Sequence, residues 1–125
     1  MRYLNYFQSI ENAKSLYTLV QKTPLQEACL LSQRYDNRIL MKREDQQTLH
    51  SFKLRGAFHK LLQLSDTQRQ QGVIAASAGN HAQGVALAAQ HLHIAAQIVM
   101  PITTPHIKIQ AVQRLGAQVH LQGNS

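Results

Sequence analysis

Apolar residues along this chain recur with two different periods. Leu54, Ala57, Phe58, Leu61 and Leu62 follow the i, i+3, i+4, i+7, i+8 spacing that gives a helix one apolar stripe. The stripe predicts a helix that opens beside Ser51, a residue suited to an N-cap, and fades at Ser65-Asp66. Residues 72–77 form a short apolar run ending in turn chemistry and predict a buried strand. A helix of small residues over about 82–90 leads to a second apolar run at 96–100. Thr104-Pro105 then reads as an N-cap followed by proline at the first helical position. Ile107, Ala111, Val112 and Leu115 give that helix its apolar side, Gly116 suits its C-terminal cap, and residues 118–121 read as the next strand. Nearer the start, residues 10–20 predict a helix broken by Thr23-Pro24, residues 27–33 a second short one, and residues 38–42 a strand.

Strand, helix, strand, helix, strand is the pattern of an α/β fold, a parallel sheet with βαβ crossovers and helices covering it. In such sheets ligands bind beyond the carboxyl ends of the strands. The first segment in that position is SAGNH, residues 77–81.

Composition narrows the range of functions. A chain of 125 residues with 44% apolar content is long enough for one ordinary domain. Lys and Arg outnumber Asp and Glu by 13 to 6. The basic residues are scattered, and Lys42-Arg43 is followed at once by Glu44-Asp45, so the surplus suits small anionic ligands better than nucleic acid. No stretch approaches the roughly 20 apolar residues of a membrane-spanning helix. The single cysteine, Cys29, cannot form an internal disulfide, and the first residues lack the apolar core of a signal peptide, which together predict a cytoplasmic protein. Among the histidines, His91 and His93 are the one close pair; without a cysteine or carboxylate cluster nearby they read as surface residues, not as a metal site.

Two motifs carry candidate chemistry. In HSFKLRGA, residues 50–57, Lys53 falls off the apolar stripe, and by pattern alone it is an ordinary solvated lysine in a first turn. Its place at the positive end of the helix dipole, where an ammonium group is disfavoured, favours a reactive amine instead. Gly56, three residues on, leaves a notch beside that amine. In SAGNH, Gly79 permits a tight turn between strand and helix, and the unpaired amides at the helix start favour an anion. The Ser77 hydroxyl and Asn80 carboxamide add donors of the kind that grip a carboxylate; equally, Ser77 and Asn80 could do no more than cap the turn. The segment lacks the GxGxxG pattern of a dinucleotide site and the Lys-Ser or Lys-Thr of a P-loop. A reactive amine and an anion-binding turn on neighbouring elements suit imine chemistry, for which pyridoxal 5'-phosphate is the usual partner.

The stretches KREDQQTLHSFKLRGA (residues 42–57) and SAGNHAQGVA (residues 77–86) closely resemble the biosynthetic threonine dehydratase family of pyridoxal-phosphate enzymes, and the likeness runs from Thr23-Pro24-Leu25 through IVMPITTPHIKIQAVQRLGAQV. The resemblance implies a fold-type II pyridoxal-phosphate enzyme, a lyase that converts L-threonine to 2-oxobutanoate and ammonia, as in isoleucine biosynthesis, and serine to pyruvate. It makes Lys53 the lysine that holds the cofactor and takes the Cα proton, with Phe52 as a pocket wall and Asn80 as a contact to the cofactor's 3-hydroxyl oxygen. Ser77, Gly79, Asn80 and His81 become the loop for the substrate carboxylate. Serine racemases of this fold place a second acid/base serine where this chain has Ala78, and an alanine moves no proton, so elimination is favoured over racemisation.

Family enzymes are longer and homo-oligomeric. The resemblance therefore implies an N-terminal portion: residues 1–65 as the beginning of the larger catalytic domain, and residues 66–125 as most of the smaller α/β domain. None of the six glycines forms a loop for the cofactor phosphate, and the partner of the pyridine nitrogen is expected after Ser125, so the chain is expected to be inactive alone. A catabolic threonine/serine dehydratase and a non-catalytic module that binds a small anion or a polyanion are the alternative readings.

Overall fold

The computed structural model describes residues 13–124. The chain begins there with a 3-10 turn, Ala13–Thr18, which buries Leu16. A helix is expected over residues 10–20; residues 10–12 of it lie outside the described region, and the remainder is this tighter turn. Strand β1 (Leu25–Glu27) follows, then helix α1 (Cys29–Arg34) and strand β2 (Leu40–Lys42). The two strands pair antiparallel, with Leu25 opposite Lys42. β1 carries no alternating pattern, because every residue of both strands is exposed, and the helix expected from residue 27 starts two residues later.

Helix α2 (Lys53–Leu62) buries Leu54, Ala57, Phe58 and Leu61 of the expected stripe, while its fifth member, Leu62, is only half-buried. Ser51 sits one position ahead of the N-cap, which is Phe52; its hydroxyl nevertheless accepts the Lys53 amide at 3.3 Å and serves the first turn from there. The helix ends at Leu62, just before the expected Ser65-Asp66, and Ser65-Asp66 also starts another helix that the apolar pattern does not predict, α3 (Asp66–Gln71). The Ser65 hydroxyl accepts the Gln68 amide while the Gln68 side chain accepts the Ser65 amide, a reciprocal capping box.

Strands β3 (Val73–Ala76), β4 (Ala96–Met100) and β5 (Gln118–Leu121) form a parallel sheet in that order. Helix α4 (Asn80–His91) connects β3 to β4, and α5 (His106–Arg114) connects β4 to β5. The expected α/β alternation is therefore present, with β4 at its centre; β3, expected to be a buried strand, is instead an edge strand with no buried residue, and Ile74 is 70% exposed. Gly116 caps α5 with a φ of +82°, a conformation that costs glycine little. Thr104 does not cap the same helix. It is buried, its hydroxyl has no protein partner, and Pro105 occupies the N-cap position.

The core lies where α2 meets α4. α4 buries Ala82, Gly84, Val85, Ala86, Ala88 and Ala89, small residues that let it touch both α2 and the sheet. Leu54 and Phe58 from α2, Ile98 and Met100 from β4, and Val112 from α5 are each no more than 1% exposed. Burying side chains of this size contributes about 1.5–3 kcal/mol each. At the far end of the α2–α4 contact, the Phe58 ring meets the His91 ring edge-on at 5.4 Å. His91 thus packs on the core's rim, and His93 occupies the left-handed turn after α4, with a φ of 55°.

A polar clamp fixes the approach to α2. The buried Gln47 side chain donates to the Gln21 carbonyl at 2.7 Å and accepts the Gln21 amide at 3.2 Å. Arg55 grips Glu44 with two 2.8 Å bonds and also reaches the Gln21 carbonyl at 3.0 Å. The Thr23 hydroxyl donates to the same Glu44 carboxylate. Arg55 and Thr23 hold that carboxyl well below its ordinary range, at about 2, against a desolvation that opposes them.

Candidate active site

Lys53 is the first residue of α2, and its side chain projects into solvent beside the Phe52 ring, with Nζ 4.5 Å from the ring centroid. The aromatic face restrains the amine without sharing its proton. A cavity of about 450 Å³ opens here, lined by Phe52, Lys53, Gly56, Ala57, Lys60, Leu61, Leu64, Val73, Ile74, Ala75, His81 and Val85. A Cβ added at Gly56 would meet nothing within 4 Å, so the notch expected beside Lys53 is open space.

His81 enters this cavity from α4, and it does so because of how α4 is seated. Gly84, one turn further along that helix, lies directly on the Lys53–Leu54 peptide. The close approach brings the start of α4 beside the start of α2. The sequence motifs contain Gly84 without marking it, since a helical glycine costs about 1 kcal/mol relative to alanine and gives no sign of what it touches.

The rest of the SAGNH turn lies at the carboxyl ends of the strands. Ser77 and Ala78 line a cavity of about 280 Å³ with Ala76, Val99, Met100, Pro101 and Gln122. The Ser77 amide donates to the Val99 carbonyl at 3.0 Å, and its hydroxyl accepts the Gly79 amide at 3.3 Å. Ser77 therefore does cap its own turn, while its remaining lone pair and its proton stay open to a ligand. Gly79 is the N-cap of α4, so the amides of Asn80 and His81 lie in a first turn where no intrahelical acceptor exists. A Cβ at Gly79 would also meet nothing, which leaves this turn open to a ligand. Phe52, Lys53 and His81 thus share one cavity, Ser77 lines the other, and Gly79-Asn80 joins the two along the chain.

The residues present fit an aldehyde on an aromatic ring. Phe52, Ala57, Leu61 and Val85 supply apolar walls, Lys53 an exposed amine, and the α4 start a set of unpaired amides. Among the described residues no group of three or more His, Cys, Asp or Glu is placed to hold a metal ion, and no helix is long and apolar enough to cross a membrane.

An open parallel sheet with this crossover helix places the chain in the α/β class, and solved structures share the arrangement. The processed form of threonine deaminase isoform 2 from Solanum lycopersicum superposes with a TM-score of 0.87 at 49% identity, over 95% of this chain and 33% of that one. Maize serine racemase superposes equally well, with a TM-score of 0.87 at 33% identity, over 94% of this chain and 36% of its own. The chain belongs to the family of pyridoxal-phosphate dependent enzymes, whose pattern matches residues 16–125. Within it, the mitochondrial threonine dehydratase of Saccharomyces cerevisiae is 54% identical over 110 residues, and the biosynthetic L-threonine dehydratase of Pasteurella multocida 52% identical over 118. These matches take in 88% and 94% of this chain but only 19% and 23% of the relatives, so the chain spans about a fifth of their length.

Proposed function

We propose that this chain is the lysine-bearing portion of a threonine dehydratase, a lyase that converts L-threonine to 2-oxobutanoate and ammonia and accepts serine by the same route. The observation that carries the reading is the exposed Lys53 amine at the mouth of an apolar cavity, with the SAGNH helix seated on its backbone. Pyridoxal phosphate, when bound, supplies an electron sink that acidifies the Cα–H bond of an amino acid. Lys53 Nζ would hold the cofactor, and the same amine would accept the Cα proton of the substrate. Phe52 walls the ring. Asn80 would contact the cofactor's hydroxyl oxygen, and Ser77, Gly79, Asn80 and His81 would orient the substrate carboxylate with the amides at the start of α4.

Ala78 favours elimination over racemisation. Its methyl group offers no proton where a racemase of this fold needs one, so the chain's own residues deliver a proton from the Lys53 side alone. The biosynthetic type is the favoured assignment, because the Pasteurella relative bears that name. Residues 1–65 are read as the start of the larger domain and residues 66–125 as most of the smaller; the two sheets fall one on each side of that boundary, while α2 packs across it into a core shared with α4. A cytoplasmic location and a homo-oligomeric assembly complete the reading. With a fifth of the relatives' length, the chain alone is expected to bind cofactor weakly and not to turn over substrate.

A chimera tests the proposal. This chain replaces the matching segment of the Pasteurella enzyme, and 2-oxobutanoate formation from threonine is followed. The chimera is expected to be active, and Lys53→Ala in it to lower kcat by about 10³-fold or more. Activity unaffected by Lys53→Ala would overturn the assignment. Formation of D-serine from L-serine would overturn the role given to Ala78.

A further inference from the structure

Three glycines lie in the two motifs, and only one of them faces atoms close enough to crowd an added side chain. Cβ atoms added at Gly56 and Gly79 would meet nothing within 4 Å. A Cβ at Gly84 would lie 3.1 Å from both the carbonyl carbon and the oxygen of Lys53, and 3.2 Å from the Leu54 nitrogen. These neighbours are backbone atoms in the first turn of α2, with no flexible side-chain end that could swing aside. The opposite end of the contact is pinned by the Phe58 and His91 rings. An added methyl group would need a few tenths of an ångström of give between the two backbones, and the Lys53 end, away from the rings, is where α4 would shift relative to α2.

We propose that Gly84 is a positioning residue: by presenting bare backbone it lets α4 rest on the Lys53–Leu54 peptide and so sets the distance between the Lys53 amine and the SAGNH turn. For its geometry the proposal depends on the contact alone. For its effect on chemistry it rests on the reading of Lys53 as the cofactor-binding amine. The α2–α4 spacing is then a property of one missing side chain, and the residue that controls Lys53 lies 31 positions away in sequence.

The 125-residue chain is compared with Gly84→Ala and Ala88→Gly. Ala88 is also fully buried on α4, so its truncation removes packing without adding bulk at Lys53. The first measurement uses no cofactor. Lysine amines are tagged with ¹³C-methyl groups, and the Lys53 and Lys60 resonances are read by NMR. Gly84→Ala is expected to move the Lys53 signal while leaving Lys60 in place, and Ala88→Gly to move neither. The second measurement treats each protein with pyridoxal phosphate and borohydride and takes the ratio of label on Lys53 to label on Lys60. Gly84→Ala is expected to lower that ratio about tenfold, less than the roughly hundredfold that a full 1 Å misplacement of a reacting group can cost.

An unmoved Lys53 signal in a folded Gly84→Ala protein overturns the proposal. Should the wild-type chain show no preference for Lys53, the functional reading fails, and the resonance comparison still decides the role of Gly84. Should Gly84→Ala not fold, the wild-type NOE between the Gly84 α-protons and the Leu54 amide decides it. A strong cross-peak supports the close seat, and its absence overturns it.

Discussion

The α2–α4 contact and the β1–β2 hairpin are both close to Lys53 in sequence, yet they are built on opposite principles. α2 and α4 meet through Leu54, Phe58, Ala82 and Ala88, all with 0% exposure, and no charge is needed to hold them. The hairpin has no buried residue in either strand and leaves Leu25, Leu40 and Met41 at 42–61% exposure. It is held by polar links: Arg43 to Asp45 and Gln26, Lys42 to the Thr23 carbonyl, and the Glu44–Arg55 clamp to α2. Apolar burial fixes geometry at close range, whereas an exposed pair such as Arg43–Asp45 adds little and is screened; only the Glu44–Arg55 clamp is largely buried. The Lys53 end of the site is therefore rigid, and the hairpin is an apolar surface without a cover among the described residues.

Mutations that pull these regions apart are expected to differ widely. Phe58→Ala removes the largest fully buried side chain and, by cavity formation, is expected to cost about 3–5 kcal/mol in urea unfolding. A loss below about 1 kcal/mol would show that the two helices are not a core. Arg55→Ala strands the Glu44 carboxylate, which has only 15% side-chain exposure, and is expected to cost about 2 kcal/mol.

That clamp also carries a pH signature. The Glu44 carboxyl sits at about 2 in the folded chain against an ordinary value of 4.5, so the unfolded chain binds the proton more readily. The stabilisation is fully present above the ordinary value and is lost as pH falls from there toward about 2. The loss is about 2 kcal/mol once partial exposure is discounted. Unfolding of the wild type and of Glu44→Gln between pH 6 and 2 checks the sign, and the mutant curve is expected to be flatter. Smallest of all, Leu30→Ser on α1, where Leu30 is 82% exposed, is expected to stay within about 0.5 kcal/mol. A large loss there would show that the hairpin region has a packed core after all.

The same contrast decides what was legible in the sequence. The α2 stripe and β4 are legible because their residues are buried in a regular pattern, whereas β3 and β5, which have no buried residue, are legible only as short apolar runs between turn residues. β1 and its pairing with β2 were not legible: a strand whose residues are all exposed has no periodic signal. The start of α3 was legible only as an ending, since Ser-Asp serves both ends of helices and only the Ser65–Gln68 reciprocity marks a beginning. At the site, Lys53, Gly56 and the SAGNH turn stood out as local chemistry. Gly84 did not, because what it touches is 31 positions back along the chain.

The central claim is that Lys53 is the amine that takes pyridoxal phosphate. Borohydride reduction of the wild-type chain with a limiting amount of the cofactor, read by peptide mass spectrometry, tests it directly. The prediction is label concentrated on Lys53 over Lys14, Lys22, Lys42, Lys60 and Lys108, and no compensating label elsewhere in Lys53→Ala. Label spread evenly over the lysines, or concentrated on any other than Lys53, would contradict it.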